Sequence, residues 1–319
     1  MKLSQFPRAP WLRPGLLVTA IVGGIALSNL ANAQGRPPMR VHTATSAHPL
    51  NLQAARASAG RNSVQMSTTG SRRFISANGI PEHAVGSFPN RGNPNRISAQ
   101  SYSFQIPTDP RQGAPRDIRR TLFGVGVNGV PFDPGAAEFW QGNPRSGWQY
   151  EALGGAVPLG LDANYAHVQP TGAYHYHGLP VGLMQSQGWS SNGASPLIGW
   201  AADGFPIYAL TAEVNGQVVR MTSSYRLRSG SRPGGDQPSG TYDGAFVQDY
   251  VYVRGAGSLD ECNGATVRTA EFPEGTYAYF LTETFPVIPR CHVGPVDTSF
   301  QKRGGPGEQG GRPPRRQNG

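Results

Sequence analysis

Cysteine is scarce in this chain: two residues, Cys262 and Cys291, among 319. In an exported protein a lone pair reads most simply as one disulfide. It would close a loop of about 30 residues, worth roughly 3–4 kcal/mol in the chain-entropy model. Two metal thiolates are the competing reading, but no third or fourth cysteine completes a thiolate site. Long amphipathic helices are missing too. The best helical segment, Leu179–Gln187, is short, which argues against a helical bundle. The apolar run Gly15–Leu30 falls short of a membrane span. There is no P-loop, no G-x-S-x-G nucleophile elbow and no H-E-x-x-H. One stretch, "GVGVNG" at residues 124–129, matches the dinucleotide pattern, but "VPFDPG" follows it and cannot open a helix. It reads instead as a hairpin with Asn128-Gly129 at a type I′ turn.

Positive charge is also missing from the place where a nucleic-acid-binding fold would carry it. Residues 101–300 hold twelve arginines against seventeen acidic residues, while residues 34–100 hold eight arginines against one glutamate. The net charge of +9 therefore lives in the flanks. A nucleic-acid-binding domain would place its basic patch on the folded part, so no nucleic-acid partner is expected. The flanks read as an aid to solubility and weak adhesion to anionic surfaces.

What is present begins with a leader. Lys2, Arg8 and Arg13 precede the apolar run, and Ala31-Asn32-Ala33 forms a small-x-small cleavage site before Gln34. This is the pattern of a secretory signal peptide over residues 1–33, and it implies a secreted or periplasmic protein. No cysteine stands at the cleavage point and no twin arginine precedes the run. General export of an unanchored chain is expected. Residues 34–97, rich in Ser, Ala, Asn, Gly, Pro and Arg, read as a mostly flexible linker, with Ser71–Gly86 as a short ordered lead-in. Residues 301–319 read as a disordered basic tail.

Residues 98–300 make one domain of all-β texture, long enough for a substantial core. Turn formers recur about every ten residues between short β-branched or aromatic runs. Expected strands are 101–106, 121–127, 173–177, 205–210, 214–222, 246–253 and 276–282. "EVNGQVV" supplies a second hairpin at Asn215-Gly216. A β-sandwich or barrel-like single domain with many hairpins and long loops is the expected architecture. "GAYHYH" at 172–177 is echoed by "GTYAYF" at 275–280. The echo is either a duplicated strand whose second copy lacks histidines or a chance recurrence of Tyr-x-Tyr texture.

The chemistry is concentrated in "GAYHYHGLP". Strand alternation puts His175 and His177 on one face, about 6.6–6.8 Å apart along it. Two imidazoles so placed can converge on one ion at about 2.0–2.1 Å. His167 is the natural third ligand, and His292, beside Cys291, is an additional one. The donor set suits copper or zinc, with iron as a third option. Packed or exposed histidines in a Tyr-rich strand are the plain alternative. Asp162 and Asp203 are the catalytic candidates, as metal ligands, orienters of a histidine or general bases. Asp203-Gly204 reads first as a turn.

Several segments, "GAYHYHGLP", "AADGFPIY", "GTYDGAFVQDYVYV", "LDECNG" and "FPEGTYAYFLTETFPVIPRC", together resemble the YHYH-domain family of exported proteins over roughly residues 100–295. The eponymous motif falls on Tyr174, His175, Tyr176 and His177. The resemblance implies no established reaction. It also implies a histidine, in many relatives, where this chain has Ala278, so His167, His175 and His177 remain as ligands. Three functions follow: a metal binder, a metalloenzyme of unnamed substrate at the same place, or a surface module contacting protein or polysaccharide.

Overall fold

The structure, a computed structural model, describes residues 59–118 and 120–302. The leader and the tail beyond Lys302 lie outside the described residues. Among the described residues no helix is long and apolar enough to cross a membrane.

Strands β1 (Val64–Thr69), β2 (Arg72–Ala77) and β3 (Tyr102–Pro107) form an antiparallel three-stranded sheet. The first two lie within the stretch whose composition reads as linker. Its apolar signal is sparse because most of β1 is solvent-facing; burial falls on Ile75, Ala77, Ile80 and Val85. After the short β4 (Arg116–Asp117) come β5 (Gly124–Gly126), β6 (Pro131–Phe132), β7 (Gly135–Phe139), β8 (Gln149–Glu151), β9 (Ala166–Val168) and β10 (Tyr174–Tyr176). The single turn-and-a-half α1 (Val181–Ser186) follows. Then come β11 (Gly199–Ala201), β12 (Pro206–Ala209), β13 (Thr211–Val214), β14 (Gln217–Arg220), β15 (Tyr225–Leu227) and β16 (Tyr250–Tyr252). The chain closes with β17 (Gly264–Val267), β18 (Thr276–Leu281) and β19 (Cys291–His292). The fold is all-β.

The central sheet has eight strands in the order β17-β18-β12-β11-β5-β6-β10-β9. It is open, with β17 and β9 at its two ends, so the barrel alternative is not taken. The order is symmetric about its centre when β5, β6, β10 and β9 are matched with β11, β12, β18 and β17. At its centre Gly126 pairs with Gly199, Val125 with Trp200 and Gly124 with Ala201; exchanging 124–126 with 199–201 returns the same three pairs. A pseudo-two-fold axis therefore passes through the Val125/Trp200 pair. Outward from it the halves match in strand direction and register. "GVGVNGVPF" (124–132) and "GWAADGFPI" (199–207) are the same hairpin. In one, Gly129 N donates to Gly126 O and Gly126 N to Val130 O; in the other, Gly204 N donates to Ala201 O and Ala201 N to Phe205 O. Only the glycine that follows each turn has positive φ, 80° at Gly129 and 95° at Gly204. The turn is thus a three-residue loop closed by a left-handed glycine, and not the type I′ turn expected. Asn215 and Gly216 both have positive φ, as type I′ requires. β10 runs parallel to β6, with Tyr176 beside Phe132, as β18 runs parallel to β12, with Tyr279 beside Ile207. β9 pairs antiparallel with β10 through Ala166/Tyr176, as β17 pairs with β18 through Gly264/Tyr279. "GAYHYH" and "GTYAYF" occupy equivalent places.

One face of this sheet buries Phe132, Tyr174, Tyr176, Ile207, Tyr277 and Tyr279 in the main core. The other face is divided into three. At the axis, Val125 and Trp200 pack under Ile75, Phe104 and Ile106 of the three-stranded sheet. At the β17 end, Tyr208, Ala278 and Phe280 form an apolar cluster. At the β9 end lie the histidines.

Candidate metal centre

The site is built by a turn, a hairpin and two buried tyrosines. Asp162 Oδ1 accepts from Asn164 N and Ala166 N at 2.8 and 3.3 Å, which starts β9. The register of β9 and β10 sets His167 directly across from His175, where cross-strand Cβ atoms stand about 4.5–5.5 Å apart. Tyr165 O accepts from His177 N at 2.8 Å and carries the pairing one residue further. Tyr174 and Tyr176 point into the core and so turn His175 and His177 the other way. Both hydroxyls are held: Tyr174 donates to Asp162 Oδ2 at 2.7 Å, and Tyr176 receives Asn128 Nδ2 at 2.9 Å and meets His83 Nε2 at 2.6 Å.

The three imidazoles converge on one point. His175 Nε2 and His177 Nε2 are 3.0 Å apart, and His177 Nε2 and His167 Nε2 are 3.1 Å apart. His167 Nδ1 lies 2.9 Å from Leu159 O, and His175 Nδ1 lies 3.1 Å from Ala173 O. A carbonyl can only accept, so both Nδ1 atoms carry the proton. Both Nε2 atoms therefore present lone pairs, which fixes the tautomer that a metal ligand needs. One proton on His177 Nε2 can serve only one of them. Three nitrogens at van der Waals distance or less, two of them acceptors, form a group that could hold a metal ion. Burial lowers the pKa of all three rings: His177 well below its ordinary value, His175 to about 4, and His167 by a smaller amount. They are neutral at neutral pH and available as ligands.

The site opens on a cavity of about 500 Å³ lined by the three histidines together with Asp133, Glu138 and Lys302. Asp133 is 2% exposed, and its Oδ1 accepts from Lys302 Nζ at 2.6 Å. Glu138 Oε2 is enclosed without a hydrogen-bond donor, and so is His177 Nδ1. None of these three cavity residues follows from sequence spacing. Asp133 directly follows β6, part of a different hairpin, and Lys302 lies in the segment that composition assigns to the tail. His83, in the expected linker, is equally unforeseen.

The other expected site residues stand elsewhere. Among the described residues, His167, His175 and His177 form the one group with metal-ligand proximity, their ligand atoms within 4.8 Å of one another. His292 is not part of it. It is buried, its Nε2 donates to Phe123 O at 2.8 Å, and its ring stacks on Phe123. Asp162 serves the turn and Tyr174. Asp203 lies in the other half, where its Oδ2 accepts from Tyr279 OH at 2.6 Å and Gly294 N at 2.9 Å. Ala278 sits on β18, five strand steps from β10. At about 4.8 Å per step, a histidine there could not join these three. Cys262 and Cys291 are joined, with Cα atoms 5.2 Å apart.

No curated protein and no solved structure matches the chain. A match to a family described as YHYH protein covers residues 103–294, and the chain belongs to that family.

Proposed function

We propose that this is an exported protein that binds one divalent transition-metal ion through His167, His175 and His177. The observation that carries the reading is the convergence of three Nε2 atoms, those of buried His175 and His177 and half-buried His167, two of them fixed as acceptors by Nδ1–carbonyl bonds. Neutral imidazole donors suit copper and zinc. Export is supported by the leader pattern of residues 1–33 and by the disulfide. Metalloenzyme activity at the same place is favoured by one observation, the cavity that opens on the histidines. Three protein ligands and an accessible fourth position are the arrangement of catalytic zinc sites.

The test is elemental analysis of the purified protein after loading with copper or zinc and dialysis. About one ion per chain is expected in the parent and none in the His175→Ala/His177→Ala variant. Equal metal in both, or none in the parent, would contradict the reading.

A further inference from the structure

The two halves of the sheet offer an internal control for function. They share the parts that build the scaffold. Asp162 and Asp260 each head an identical turn. Asp162 N bonds Ala166 O as Asp260 N bonds Gly264 O, and the fourth residue of each turn, Tyr165 or Asn263, has positive φ. Tyr174 donates to Asp162 as Tyr277 donates to Asp260. Asn128 holds Tyr176 as Asp203 holds Tyr279. His177 N bonds Tyr165 O as Phe280 N bonds Asn263 O, each at 2.8 Å. The difference lies on one face. The positions of His167, His175 and His177 are taken in the second half by Ala265, Ala278 and Phe280, all in or against one apolar cluster.

A fourth position changes with them. Asp133 follows Phe132 as Tyr208 follows Ile207, and Tyr208 belongs to the same apolar cluster. Asp133, one residue past β6, lines the same cavity as the three histidines, although its carboxylate stands outside the group whose ligand atoms lie within 4.8 Å of one another. Its N donates to Tyr176 O at 2.9 Å, which places it beside His175 and His177. Glu138 does not behave this way: its counterpart by the same count is Glu213, an exposed acid. From this coupled replacement we infer that Asp133 is the fourth, anionic ligand of the centre.

The inference rests on the metal reading above. Three neutral imidazoles leave a divalent ion with its whole charge in a buried place, which is costly without an opposite charge. A carboxylate offsets half of it. Asp133 is bonded to Lys302, whose side chain is 33% exposed and can release into solvent. The ion and the ammonium compete for one carboxylate, and arrival of the ion frees Lys302.

Cobalt(II) titration of the full chain tests this, with affinity read by chelator competition and geometry by the visible d–d bands. Asp133→Asn and Asp133→Ala are expected to bind cobalt about tenfold or more weaker than the parent and with altered bands. Lys302→Met leaves the four ligands intact and is expected to bind more tightly. Parent-like affinity and bands in both Asp133 variants would overturn the assignment of Asp133 while leaving the three histidines as ligands. Weaker binding by Lys302→Met would also overturn it. A parent that takes up no cobalt would overturn the histidine reading and Asp133 with it.

Discussion

Residues that look alike in the sequence do different work here. His175 and His292 are both buried histidines, yet one offers a lone pair to a shared point and the other closes a hydrogen bond to Phe123 O. Burial lowers the pKa of both, and of His167 and His177. The unfolded chain, with ordinary values near 6.5, then binds more protons than the folded one as pH falls. The contribution of these histidines to the stability of the metal-free protein is therefore full above pH 6.5 and falls away as pH drops toward about 4, the value for His175. Melting temperatures measured from pH 7.5 to 4.5 should fall, and fall less steeply in His175→Ala/His177→Ala. A flat profile would contradict this. Asp203 behaves as scaffold: fully buried, it accepts from Tyr279 and Gly294. Asp203→Ala leaves two buried donors unpaired and should cost about 2–4 kcal/mol. Metal content should not change, and its loss in a folded variant would contradict the scaffold role.

At the scale of elements, the internal repeat turns a sequence comparison into an energetic one. His177 and Phe280 occupy equivalent places, one beside a cavity and the other inside an apolar cluster. Phe280→Ala should cost about 3–5 kcal/mol, as large-to-small core changes do. His177→Ala in the metal-free protein should cost under about 1 kcal/mol, because it removes a ring whose Nδ1 has no partner. Denaturant unfolding of the two variants measures the contrast; equal losses would mean that the histidine is a packing residue. The strand that carries His175 is legible in the sequence, since Tyr-His-Tyr-His alternation assigns both faces at once. The strands at 102–107, 206–209 and 276–281 are legible for the same reason. The β1–β2 hairpin is not, because one buried edge of Ile75 and Ala77 makes too weak a pattern among polar neighbours. Asp133 is not legible either. It follows a strand only two residues long, and the parallel pairing of β6 with β10 brings it to the histidines.

The central sheet is two copies of one half-sheet joined about Val125 and Trp200, with different contents at each end of the face opposite the main core. The Cys262–Cys291 bridge ties the β17 turn of the second copy to the segment leading to His292. Its reduction should lower the melting temperature, by an amount equivalent to roughly 3–4 kcal/mol, while metal content survives. An unchanged melting temperature would show that the bridge adds nothing to the native state. The central claim is that one end of the sheet holds an ion. The most direct measurement is an anomalous difference map from crystals grown with copper or zinc. The account predicts one strong peak about 2.0–2.2 Å from the Nε2 atoms of His167, His175 and His177. A map with no peak there, or with its strongest peak at His292 or on the flanks, would contradict it.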